Sequence, residues 1–108
     1  MITNAVDDKK WKDVSVLFDD GDFSVIWGKF SENNSIDEPY MGMRWNGKGD
    51  KVGYPQFSFN PRWLVIPDSI SILVLKGLKD LGLNEPKNKN IHLKEIDKAL
   101  NEYNEYYE

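Results

Sequence analysis

The apolar residues of this chain change period once, at Pro67. Before it they alternate, as on strands with one buried face; after it they recur every three to four residues, as on helices with a buried stripe. Residues 40–46 alternate most cleanly, with Met41, Met43 and Trp45 on one face and Tyr40, Gly42, Arg44 and Asn46 on the other. Residues 14–18 and 22–30 are two further strands, the second rich in β-branched and aromatic side chains. Asp19, Asp20, Gly21 and Asp22 join them, residue types that tolerate positive φ and bond their own backbone, so 14–30 is predicted to be a β-hairpin. Phe23, Val25 and Trp27 share one of its faces, and Ser24, Ile26 and Gly28 the other. A polar loop spans 31–38. Residues 53–60 are extended and aromatic, with Phe57 and Phe59 at strand spacing, but Pro55 and Pro61 keep them irregular or at an edge. Residues 63–66 are apolar on both faces, which predicts a fourth strand, central or covered by a helix.

Pro67 and Asp68 open the first helix, with Asp68 or Ser69 as its cap. Its expected core stripe is Ile70, Val74, Leu78 and Leu81. Gly77 lies beside that stripe and admits a close approach to the sheet; Gly82 suits the helix end. A polar linker, 84–90, leads to a second helix with His92 at its cap position, Glu95 three residues on and Ile91 stapled to Ile96. Leu93, Ile96, Leu100, Tyr103 and Tyr107 form its apolar stripe. The expected fold is α+β: an antiparallel sheet of about four strands followed by two helices packing on one face. At 108 residues the chain is expected to be a single domain, 1–108, with 1–12 a loosely ordered lead-in that Val6 or Trp11 anchors. Trp27, Met43, Trp45, Val65, Ile70, Val74, Leu78, Ile96 and Leu100 are its predicted core.

The absence of cysteine excludes a disulfide framework, a thiolate zinc site and a cysteine nucleophile. The longest apolar run, 72–75, is far too short to span a bilayer, and the start lacks the apolar stretch of a signal peptide, so a cytoplasmic location is expected. The net charge of −4 is unevenly spread. Residues 1–43 carry four Lys against nine acids, a balance of −5; residues 44–66 carry Arg44, Lys48, Lys51 and Arg62 against Asp50, a balance of +3; the rest balance at −2. The overall sign opposes non-specific nucleic-acid binding, while the central basic island leaves room for a local anion contact.

Few motifs carry chemistry. Asp19, Asp20 and Asp22 are dense enough in oxygen for a hard cation, but the further ligands and closing Glu of a calcium loop are missing, and a hairpin turn wants the same residues. His92 is the sole histidine; without an evident partner for catalysis, a capping role accounts for it. Gly47, Lys48, Gly49 and Asp50 do not lead into a helix as a phosphate loop does. No metal set, cofactor or catalytic constellation is expected.

The aromatic load is the stronger signal: 13% of the residues, four of them Trp. Arg beside aromatic rings suits anionic or planar ligands, and also single-stranded nucleic acid. Alternation turns Arg44 away from Trp45, so Arg44, Asn46, Tyr54 and Arg62 are the expected ligand-binding set, with Arg44 at least partly exposed and the 47–56 loop over the groove. Ile72 lies opposite Ile70 and Val74 on its helix. With Tyr103, Tyr106 and Tyr107 it is the expected interface of a homodimer.

The stretch Met43-Arg44-Trp45-Asn46-Gly47, followed by Gly53-Tyr54-Pro55 and then Pro61-Arg62-Trp63-Leu64-Val65-Ile66-Pro67, resembles a group of small uncharacterised bacterial proteins carried as integron gene cassettes and on other mobile elements. The resemblance covers residues 40–81 and implies an accessory cargo protein, with no substrate or residue role attached. The leading functional expectation is a non-enzymatic binding protein, a homodimer that takes a small anionic or planar ligand or a protein partner. The alternatives are a nucleic-acid-associated factor, an inhibitor of a host or phage system with an acidic, nucleic-acid-like surface, and, last, an enzyme pairing Asp20 with Asp22 or Glu38.

Overall fold

The computed structural model describes residues 10–31, 38–57 and 60–107. Val6, most of the expected lead-in, the interior of the 31–38 loop and Phe59 lie outside the described residues. The strands are β1 (Trp11–Asp19), β2 (Phe23–Phe30), β3 (Glu38–Trp45), β4 (Gln56–Phe57), β5 (Asn60–Pro61) and β6 (Leu64–Ile66). Helices α1 (Asp68–Asn84) and α2 (Leu93–Tyr107) follow. The fold is α+β: a four-stranded antiparallel sheet in the order β1-β2-β3-β6 with both helices on one face. β4 and β5 form a separate two-stranded ladder, where Pro61 avoids donating to a central strand.

Strand parity decides which side chains meet the helices. Val25, Trp27, Met41 and Ile66 share the helix-covered face and pack with Leu17, Leu75, Ile96, Ala99 and Tyr103. Leu17, Met41, Leu75 and Ile96 are fully enclosed, each contributing about 1.5–3 kcal/mol over an exposed position. The opposite face has its own small core of Trp11, Ile26 and Trp63, with Val14, Val16, Phe30, Tyr40 and Val65 around it. Gly42 belongs to this second core: a Cβ there would stand 3.0 Å from both the Trp11 ring and the Ile26 side chain. Among the described residues the indole N–H groups of Trp11 and Trp63 are buried without a hydrogen-bond partner, at a cost to stability.

Several expectations need correction. Trp11 and Lys12 belong to β1 and not to a loose lead-in, because Trp11 pairs with Phe30 and buries its ring. β6 lies at the sheet edge, and Leu64 is exposed there. Of the predicted core, Trp45 and Ile70 are exposed, and Val65 packs on the opposite face. The buried line of α1 is Ser71, Leu75 and Gly82, rotated from the expected stripe. Ser71 fits because its hydroxyl donates to the carbonyls of Ile66 and Pro67. Neither Asp68 nor Ser69 caps α1; Pro67 occupies the cap position, and Asp68 sits in the first turn, where its charge complements the helix dipole. Gly82 lies inside α1, not past its end, with no room for a Cβ against Leu93, whereas a Cβ on Gly77 would meet nothing. His92 does stand just before α2, and its carbonyl accepts the Ile96 N–H. Its ring, however, turns to the β1 edge, where Nδ1 lies 3.0 Å from the Val16 carbonyl; since a carbonyl only accepts, Nδ1 carries the proton.

Candidate ligand cleft

The site begins at the C-terminal end of β3, where Trp45 is exposed. Trp45 and Tyr54 form a two-residue antiparallel bridge, with Trp45 N donating to Tyr54 O at 2.7 Å and Tyr54 N to Trp45 O at 3.1 Å. Residues opposite one another on antiparallel strands project to the same side, so both rings face one cleft. Phe23 braces Trp45 edge to face at 4.8 Å. Neither ring is covered: Trp45 is 56% exposed and Tyr54 67%. They open onto a cleft of about 770 Å³, also lined by Asp22, Lys48, Asp50, Lys51 and Val52. Lys48 lies 3.3 Å from Asp22, both side chains largely in solvent. Lys51 has no ion pair among the described residues.

Arg44 builds this cleft without lining it. Its expected exposure is wrong: it is 2% exposed. Parity does turn it from Trp45, but to the face of the second core, where its guanidinium lies 5.8 Å from the Trp63 ring centre. The fork donates to the carbonyls of Trp45, Arg62 and Val52, tying the end of β3, the approach to β6 and the far side of the 46–53 loop to one group. Among the described residues no carboxylate takes part. Burial lowers its pKa, yet an arginine remains charged.

Asn46 also serves the scaffold. Its amide nitrogen donates to Asp19 Oδ1 and Gly21 O, and its oxygen accepts from Ser24 Oγ at 2.7 Å, so it pins the β1–β2 turn. Arg62 is half-buried, with Nη1 donating to its neighbour Pro61 O. Of the expected set only Tyr54 lines the cleft. Trp45, Lys48 and Lys51 were not in that set; the signal for them was a strand-terminal Trp followed by lysines spaced among Gly47, Gly49 and Gly53.

The acidic turn uses carboxylate oxygens to hold its own backbone. Asp19 Oδ1 accepts from Gly21 N, while Asp20 Oδ1 accepts from Asp22 N and Phe23 N at 2.9 and 2.8 Å. Among the described residues no cluster of three or more His, Cys, Asp or Glu is placed to hold a metal ion. The backbone donors from Phe23 and Asp22 hold the Asp20 carboxyl below its ordinary 3.8. A lowered carboxyl stabilises the fold above its unfolded pKa, and that contribution disappears as the pH falls through the lowered value. Melts of Asp20→Asn should therefore lie below wild type at pH 7, with the gap closing only under about pH 4.

Glu38 is at the other end of β3 from this turn and accepts from the Tyr40 hydroxyl at 2.7 Å, which pushes the Tyr40 pKa up to about 12. It is therefore not paired with Asp20. The expected dimer residues are mostly consumed within the chain. Ile72 packs against the core; Tyr103 is buried and donates to Asp68 O; Tyr107 donates to Pro39 O, and burial holds its pKa well above the ordinary phenol value. Tyr106 alone of the four is exposed. Among the described residues no helix is long and apolar enough to cross a membrane.

No protein-family model, curated protein or solved structure matches this chain.

Proposed function

We propose that this is a non-enzymatic binding protein that takes a planar, anionic small molecule in the Trp45–Tyr54 cleft. One observation carries the reading: two large, largely exposed rings on bridged residues line one cleft, at the mouth of a loop tied down by a buried arginine. Leaving such rings uncovered forgoes the burial free energy that Trp11, Trp27 and Trp63 realise in the same chain. A flat ligand laid against them recovers it, and Lys51, with Lys48 in competition with Asp22, supplies the countercharge for an anionic group. In this reading the chain is accessory cargo of a mobile gene cassette and works in the cytoplasm.

Adenosine monophosphate, which joins a planar base to a phosphate, is a suitable probe. Titration followed by tryptophan fluorescence should saturate, and Trp45→Ala should weaken binding at least about tenfold, the equivalent of 1.4 kcal/mol. Lys51→Ala should weaken it less and flatten its salt dependence. A Trp45→Ala protein that binds as well as wild type would reject the cleft. The same rings also suit stacked bases, so a single-stranded oligonucleotide bound with a steep salt slope would favour the nucleic-acid reading.

A further inference from the structure

We propose that α1 carries an interface for a second copy of this chain, packed antiparallel about a two-fold axis at Gly77. The proposal uses no residue of the cleft and stands apart from the ligand reading. α1 faces the sheet with Ser71 and Leu75 and faces α2 with Lys79, which bonds Asp97 at 2.9 Å. Its remaining side is apolar and uncovered: Ile70 is 48% exposed, Leu73 64% and Leu81 38%. Gly77 lies among them with open space where a Cβ would go. A glycine inside a helix lowers helix stability relative to alanine, and nothing among the described residues requires one here. It lets a second backbone approach closely.

The side is self-complementary. Leu73 and Leu81 each lie four residues from Gly77, one before and one after, and about 40° to either side of it around the helix axis. A two-fold axis there sets Leu73 of one copy beside Leu81 of the other. Lys76 and Asp80 occupy one flank of this side. Both are exposed, and neither has an ion pair among the described residues; Asp80 only accepts from Asn84 Nδ2 at 3.5 Å. The same axis brings Lys76 of each copy to Asp80 of the other, so apolar and charged groups are satisfied together, as an isologous interface requires. One helix pair makes a small interface, so association in the micromolar range is expected.

Sedimentation equilibrium of the full chain at tens to hundreds of micromolar should give twice the 12.5 kDa chain mass. Leu73→Asp should yield a folded monomer, its folding verified by far-UV circular dichroism. Lys76→Glu should weaken the dimer about tenfold, and Lys76→Glu combined with Asp80→Lys should restore it. A wild-type monomer throughout that range, a dimer indifferent to Leu73→Asp, or a double reversal no better than the single one would overturn the proposal. Adenosine monophosphate binding should be the same in Leu73→Asp, which separates failure of this interface from failure of the cleft.

Discussion

Replacing Arg44 by Met is expected to destabilise the protein by about 3 kcal/mol, a fall in melting temperature of more than about 10 °C for a domain of this size. Methionine keeps much of the volume over Trp63 but none of the donors. The carbonyls of Trp45, Val52 and Arg62 then lose a charged partner in a place water reaches poorly. Hydrogen bonds to a charged donor contribute about 1.5–3 kcal/mol each, part of which burial of the guanidinium offsets. Arg44→Lys should recover little, since a single ammonium cannot reproduce a planar fork across three carbonyls. Urea denaturation of the three proteins measures this directly. A loss below about 0.5 kcal/mol for Arg44→Met, the range of an ordinary surface change, would show that Arg44 does not hold the loop.

The second large effect belongs to the neck of the same loop. Gly53 has φ +88°, and a Cβ on it would land on the Trp45 carbonyl oxygen and 2.7 Å from the Gly47 nitrogen. Both are backbone atoms, and the Trp45 carbonyl accepts the Tyr54 N–H in the bridge, so it cannot give way without undoing that bridge. Gly53→Ala should cost about 2–3 kcal/mol from left-handed strain plus the forced displacement, and should abolish ligand binding as the bridge opens. Gly49 provides the control. Its φ is +61°, but a Cβ there meets nothing, so Gly49→Ala should cost only about 1 kcal/mol and leave the cleft intact. Thermal melts paired with probe titrations of both variants separate loop strain from loss of the site.

The fold class was readable because parity is a local property. The alternation at Met41, Met43 and Trp45 puts the right face toward the helices, and the change of period at Pro67 marks where α1 starts. Coverage was not readable. Parity assigned Trp45 to the helix-side face, but could not reveal that this end of the strand is left exposed. The same limit misplaced Arg44: its face was right, but that face carries a second core built around Trp11 and Trp63, and its partners are main-chain carbonyls that no pattern of residue types announces. The phase of α1 was ambiguous for a related reason. The helix is apolar on most sides, and its buried line runs through Ser71 and Gly82, whose types argue for exposure or a terminus. Tyr54 belongs to the expected ligand-binding set as its aromatic member; Lys48 and Lys51 needed the bridge geometry before they could be placed at one opening.

The cleft as the binding site is tested most directly by amide and indole shift changes in ¹⁵N-labelled protein titrated with adenosine monophosphate. The account predicts saturable shifts of the Trp45 indole N–H, Tyr54 and the amides of 47–53, with the Trp11 and Trp63 indoles unmoved. No shifts up to about 10 mM probe, weaker than millimolar affinity, or shifts centred on residues away from Trp45 and Tyr54, would contradict it.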